Sequence, residues 1–269
     1  MPANKAQLID FLLIGGGLTS VTAAETLRAA GAQGNIAILC AENTLPYYRP
    51  PLSKEFLLKG PDRSNILIHD PSFYRDRDIE IHLRSRVRRV DVDGRAIETD
   101  GGDHFRFGKL LIATGAGLHR LSIPGAGLEG IHYLRTVNDA LSLYQAIARA
   151  QRAIVIGASF LGMEIAASLV TRGVPTTLMA KKDLVYEKLC SPEVSDFFVE
   201  YFRARRVDFI FEEEVKEFWG TTKVEGIVTT TAKGCPAISL RSELGFVLRS
   251  GFSATAASMW MMASSSTST

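Results

Sequence analysis

The chain has 269 residues, of which 46% are hydrophobic and 22% charged, and a formal net charge of +2. That is enough length for two domains with genuine cores, and a balance too even for a nucleic-acid-binding surface. The cysteines Cys40, Cys190 and Cys235 form no CxxC or CxxxxC pair, which argues against a dithiol redox centre, a zinc knuckle or a disulfide framework, and no metal site is expected.

In chain order, residues 10–14 (DFLLI) form an apolar run that ends in GGG, as a buried parallel strand does when it turns into a helix. This run is too short for a secretory signal, and no later stretch approaches the roughly 20 apolar residues of a membrane span. With no membrane or nucleic-acid partner implied, a reducing cytoplasm is the expected location. The first helix is expected from about Leu18 to Ala30, stopped by Gly31, and the next strand over Asn35–Glu42. Pro50-Pro51 cannot lie inside a helix, and Ser53 is placed to cap the short helix that follows. Residues 79–107 alternate with period two, interrupted by Asp93-Gly94 and Gly101-Gly102, which predicts a small antiparallel meander containing the locally basic LRSRVRR stretch (Leu83–Arg89) as a wet face. KLLIATGAG (Lys109–Gly117) is a further buried strand that runs into a glycine loop. A helix is expected over Val137–Arg149, after which strand, glycine turn, helix, Gly173 and strand recur between residues 153 and 182.

The fold class is therefore α/β: two Rossmann-like, three-layer dinucleotide-binding domains with a small antiparallel meander. The first turn, Gly15-Gly16-Gly17-Leu18-Thr19-Ser20, carries two glycines of the G-x-G-x-x-G fingerprint, with serine at the third position. Gly15 permits the tight turn, Gly17 lets backbone N–H groups approach a pyrophosphate, and the helix N-terminus adds partial positive charge. Glu42, closing the second strand, can accept hydrogen bonds from ribose hydroxyls. The competing reading is a glycine turn in a generic α/β protein. The second turn, Gly157-Ala158-Ser159-Phe160-Leu161-Gly162, has serine in the middle and draws its meaning from its strand–helix context. Where an acid would favour NADH the chain has Lys181-Lys182, which can pair with the 2′-phosphate of NADPH or can be an ordinary solvated pair. Two such modules in one chain suit a flavin dinucleotide and a nicotinamide dinucleotide.

LPYYRPPLSKEFL resembles the PYxRPPLSK stretch of the ferredoxin/rubredoxin-reductase and apoptosis-inducing-factor-like branch of the FAD-dependent pyridine nucleotide-disulfide oxidoreductase superfamily. LLIATGA is similar to that family's second FAD motif and VIGASFLGMEIAASL to its NAD(P) motif. The resemblance implies FAD contacts at Gly15, Gly16, Gly17, Leu18, Thr19, Glu42, Arg49, Lys54, Val87, Ala113, Thr114, Gly115 and Arg135. It implies NAD(P) contacts at Gly157, Ser159, Phe160, Leu161, Gly162, Glu164, Lys181 and Lys182. Lys54 and Glu164 would be nearest the chemistry, which the flavin itself performs. The readings that compete are solvated loop charges for Arg49 and Lys54, a flanking surface charge for Arg135, a core side chain for Phe160 and a plain exposed acid for Glu164. PPLSK stands where disulfide reductases of the family carry CxxxxC, so the implied activity is hydride transfer from NADH or NADPH to FAD. Electrons would then pass to a ferredoxin, rubredoxin or Rieske-type protein.

The pattern implies an FAD-binding segment over 8–120, an NAD(P)-binding domain over 121–233 and an aberrant or disordered tail over 234–269, in place of the family's GD motif and C-terminal interface domain. Met259-Trp260-Met261-Met262 has a single codon solution. Read from its third base into Ala263, it encodes Val-Asp-Asp-Gly, as an out-of-frame strand would. A genuine Ser/Thr tail is the alternative. On either reading weak or no flavin retention and a partly unpaired sheet are expected, and a nucleotide-binding fragment without turnover is the alternative function. The electron acceptor and the oligomeric state stay open.

Overall fold

The computed structural model describes residues 7–189, 191–231, 239–241, 246–249 and 252–253. Its contacts divide the described residues into two units: 7–48 with 63–117 form the first, and 49–62 with the described part of 118–253 the second.

In the first unit, β1 (Gln7–Ile14), β2 (Ile36–Leu39), β3 (Ile79–His82), β4 (Val87–Asp91), β5 (Ala96–Thr99) and β6 (His104–Ile112) build a six-stranded sheet in the order β3-β2-β1-β6-β5-β4, accompanied by α1 (Leu18–Ala29) and α3 (Pro71–Arg75) and followed in the chain by the short β7 (Gly117–Leu118). Strands β3, β2, β1 and β6 are parallel, and β5 and β4 extend the sheet antiparallel. Period-two alternation sends Leu12, Ile14, Ala37 and Leu39 to a core with Ile97, Phe105 and Phe107. It sends Leu13, Ile36 and Ile38 to the opposite core with Val21, Ala24 and Tyr74. A strand buried on both faces must be apolar throughout, which is why β2 reads IAIL.

The meander is smaller than the alternation predicts. Residues 79–82 are not part of it: β3 pairs parallel with β2. A half-buried parallel edge strand and an antiparallel one alternate alike, so periodicity carries no direction. At the other end the meander flows without a break into the buried strand, because β6 pairs antiparallel with β5 over its first residues and parallel with β1 along its length.

The second unit contains α2 (Glu55–Lys59), β8 (Ile131–Tyr133), α4 (Val137–Ile147), β9 (Ala153–Ile156), α5 (Phe160–Thr171), β10 (Thr176–Met179), α6 (Pro192–Arg203), β11 (Val207–Ile210), β12 (Glu213–Trp219), β13 (Gly226–Thr231), β14 (Ser239–Arg241) and β15 (Phe246–Arg249). Its main sheet runs β11-β10-β9-β15-β8, and its pairs are parallel. β12, β13 and β14 form a separate antiparallel sheet. Part of the sheet is expected to lack a partner where the family pattern stops; in this sheet the backbone of residues 246–249 fills the position between β9 and β8. Most of the stretch 234–269, including the Met-Trp-Met-Met run, lies outside the described residues, as do Cys190 and Cys235.

The segment around Pro50–Lys59 is held by one face of α5. Glu164, Ser168 and Arg172 recur every four residues, which aligns them along the helix. The Ser53 hydroxyl donates to Glu164 Oε2 at 2.6 Å, the Ser168 hydroxyl donates to the Ser53 carbonyl at 2.7 Å, and Arg172 donates to the Leu57 carbonyl at 3.2 Å. Leu52, Phe56 and Leu57 are buried beside them. Ser53 therefore does not cap the following helix; Lys54 occupies the N-cap, without a capping side-chain bond. Because Ser168 is buried, Ser168→Ala strands the Ser53 carbonyl and is expected to cost about 1–3 kcal/mol in urea denaturation.

Candidate functional site

Within the first unit the predicted residues gather at the carboxyl ends of neighbouring parallel strands. Gly15–Gly17 follow β1, and Ala113–Gly115 follow β6. The Gly15 N–H donates to Leu39 O and the Ala113 N–H to Ile14 O, at 2.9 and 2.8 Å. Glu42 lies just past β2, half-buried, and accepts from the Tyr47 hydroxyl at 2.7 Å. Val87 begins β4, at the far edge of the sheet order. The chain reaches it across the end of β2, where the Ser85 N–H donates to Cys40 O and the Arg84 N–H to Glu42 O. Together these residues line the region where an open parallel sheet takes a dinucleotide.

The three glycines have different reasons to be glycine. Gly15 has φ +121, and a Cβ there would lie 2.1 Å from Ala113 O. At Gly16 a Cβ would meet Cys40 Sγ at 2.7 Å. Gly17, at φ −109 and ψ 176, is in extended backbone open to any residue, and no heavy atom lies within 4 Å of the position its Cβ would take. The fold leaves Gly17 free to carry a side chain, so the space beside it suits a ligand that approaches the backbone closely. It is also the N-cap of α1, with no side-chain cap, and the first turn of that helix exposes Leu18 and Thr19. Uncapped N–H groups at the positive end of a helix fit a pyrophosphate.

Within the second unit Arg49 Nη1 donates to the Arg135 carbonyl at 2.6 Å, joining the two predicted arginines. A capping box, Thr136 with Asp139, starts α4 next to them. Lys54 Nζ lies 2.7 Å from Glu164 Oε2 and 3.3 Å from the Pro50 carbonyl. Glu164 is thus neither a plain exposed acid nor unpartnered, and Lys54 is not a loose loop charge. The second turn places Gly157 at φ +104, with its N–H donating to Met179 O at 2.8 Å, and Ser159 at the N-cap of α5. Gly162 is buried in that helix and Leu161 is half-buried. Phe160 is 52% exposed, which removes the reading of a core side chain. Lys181 is ion-paired with Glu214, and Lys182 is exposed.

Sequence reasoning missed Tyr186. Its N–H donates to Ala158 O in the second turn, and its ring lies 4.7 Å from that of Phe160 and 4.9 Å from that of Phe198. Burial, and after it the charge of Glu164, raises the Tyr186 hydroxyl above the usual phenol range. Ser53 was read as a cap, and Glu214 was not singled out.

The residues present fit two dinucleotides better than a thiol redox centre. Cys40 is buried, and burial with the nearby Glu42 charge pushes its thiol up to about 12. It stays protonated near neutral pH and is a poor nucleophile. Among the described residues no cluster of His, Cys, Asp and Glu could hold a metal ion, and no helix is long and apolar enough to cross a membrane.

Residues 9–247 match the pyridine nucleotide-disulphide oxidoreductase family, and the chain belongs to it. It is 37% identical over 199 residues to a ferredoxin–NAD(P)(+) reductase of a Sphingomonas species, covering 74% of this chain and 48% of that one. It is 34% identical over 190 residues to rhodocoxin reductase of Rhodococcus erythropolis, covering 71% and 44%. Among solved structures it is similar to the ferredoxin reductase for the CYP199A2 system from Rhodopseudomonas palustris, with a TM-score of 0.84 and 30% identity, covering 90% of this chain and 59% of that one. The covalent putidaredoxin reductase–putidaredoxin complex matches with a TM-score of 0.82 and 26% identity, over 92% and 59%. The chain spans about half the length of the curated relatives it matches.

Proposed function

We propose that this chain carries the two nucleotide-binding parts of an FAD-dependent NAD(P)H oxidoreductase that delivers electrons to a small ferredoxin, rubredoxin or Rieske-type protein. The observation that carries this reading is the Lys54–Glu164 pair, which joins the RPPLSK segment to the second turn of the helix that follows the second glycine turn. Relatives named as ferredoxin and rubredoxin reductases support the acceptor class.

In the first unit FAD would be held by Gly15–Thr19, Glu42, Val87 and Ala113–Gly115; Arg49, Lys54 and Arg135 are the further FAD contacts that the family resemblance implies. When bound, it supplies the acceptance of hydride from reduced nicotinamide. The protein's own part is positional and electrostatic. The N–H groups opening α1 compensate pyrophosphate charge, and the Glu42 carboxylate accepts from ribose hydroxyls. The exposed Phe160 ring, backed by Tyr186, offers an apolar surface to a planar ring. Lys54, fixed between a carboxylate and a carbonyl, would present an oriented ammonium where negative charge develops, its charge partly offset by Glu164 and its orientation already set when the charge appears.

The test is direct. Purified chain, expected to retain flavin weakly or not at all, is supplied with excess FAD; bleaching of the flavin absorbance on addition of NADH or NADPH and reduction of ferricyanide are then expected. Nucleotide binding with no bleaching and no ferricyanide reduction would replace this reading with that of a non-catalytic nucleotide-binding fragment.

A further inference from the structure

We propose that Glu214 sets the coenzyme preference of the second nucleotide turn against the 2′-phosphate, by engaging Lys181 and placing a carboxylate beside it. The inference rests on the reading of that turn as the nicotinamide-dinucleotide site. Lys181 and Lys182 follow β10, at the position that recognises the adenine-side ribose in such a fold. Seen as sequence, two lysines there suit a phosphate.

The acidic run Glu212-Glu213-Glu214 lies against that same strand end. The Ala180 N–H donates to Ile210 O at 2.8 Å and the Glu213 N–H to Ala180 O at 3.2 Å, so backbone bonds tie both sides of the β11–β12 turn to the residue before Lys181. Glu212 takes a left-handed conformation, φ +58, and β12 begins at the next residue. Strand alternation then turns Glu213 inward, 6% exposed, and Glu214 outward. Glu214 Oε1 meets Lys181 Nζ at 2.6 Å, with the two side chains 55% and 68% exposed.

A pair this exposed adds little to stability. Its larger consequence falls on an arriving ligand. A 2′-phosphate would find Lys181 already neutralised, a carboxylate next to it, and Lys182 as the lysine without an ion-pair partner among the described residues. A ribose with a free 2′-hydroxyl has no such conflict. The turn is therefore built for the unphosphorylated coenzyme, despite its two lysines.

The test uses redox-inert nucleotides, so it does not depend on turnover. Dissociation constants of ADP-ribose and 2′-phospho-ADP-ribose are measured by calorimetry on the full chain, with wild type expected to hold ADP-ribose more tightly. Glu214→Gln is expected to shift the ratio of the two constants about tenfold toward the phosphorylated ligand, the size of one charge-assisted contact. Adding Lys181→Gln to that variant should cancel the shift. A ratio that stays within about twofold in Glu214→Gln, less than one such contact provides, overturns the inference while ADP-ribose binding leaves the turn's assignment standing. If wild type binds neither nucleotide, the assignment itself fails and the inference goes with it.

Discussion

Gly17→Asp is expected to stabilise the apo chain slightly and to weaken FAD binding by at least about 100-fold, a split of signs that a purely structural glycine cannot give. The backbone at Gly17 already suits any residue, and nothing stands within 4 Å of its missing Cβ. Aspartate at this N-cap can accept from the free N–H groups of α1 and lies at the positive end of the helix, together worth a few tenths to about 1 kcal/mol. A pyrophosphate needs those same N–H groups, and it would meet a carboxylate in their place. Urea denaturation of the apo chain and quenching of FAD fluorescence on titration read the two effects separately. Wild-type FAD affinity in Gly17→Asp would remove this turn as the pyrophosphate site. Gly15→Ala is the contrast. At φ +121, with Ala113 O at 2.1 Å from the new Cβ, it is expected to cost at least about 2 kcal/mol in the apo chain before any ligand is considered.

The two glycine turns were legible in the sequence because each combines a local apolar strand, a turn and a helix start within a few residues. The residues that complete the site were not, because their partners are remote. Ser53 and Glu164 are 111 positions apart, and the serine's own neighbourhood argues for a cap. Only the four-residue spacing of Glu164, Ser168 and Arg172 along α5 signals a polar face in an otherwise apolar helix, and that spacing does not say what the face holds. Lys181 is legible as a charge, but its ion pair with Glu214 is not, because the two residues lie on different elements far apart in the chain. Strand direction was lost for β3 because alternation is blind to it. The stretch after residue 231 was judged by motif alone, whereas the backbone of 246–249 completes a parallel sheet through main-chain pairing, which a motif does not report.

Lys54→Met should lower the rate at which NADH bleaches the bound flavin by about 10- to 100-fold, at nearly unchanged thermal stability. The pair is partly exposed, 42% for Lys54 and 31% for Glu164, so its contribution to folding is at most about 1 kcal/mol. Its contribution to rate is of another kind. With Nζ held by Glu164 Oε2 and the Pro50 carbonyl, the ammonium is oriented before the reaction begins. Methionine keeps the stem's packing and removes only the charge. Glu164→Gln keeps oxygen and volume, so Ser53 and Lys54 retain an acceptor, and a smaller loss of about tenfold is expected from weaker orientation. Ser53→Ala removes the second bond to the same carboxylate oxygen and should fall between wild type and Glu164→Gln. Stopped-flow absorbance at saturating NADH, read beside melting curves, separates the possibilities. If Lys54→Met bleaches within about twofold of wild type but melts several degrees lower, an inversion of what a partly exposed pair predicts, then the pair is a clasp for the 50–59 segment and not part of the chemistry.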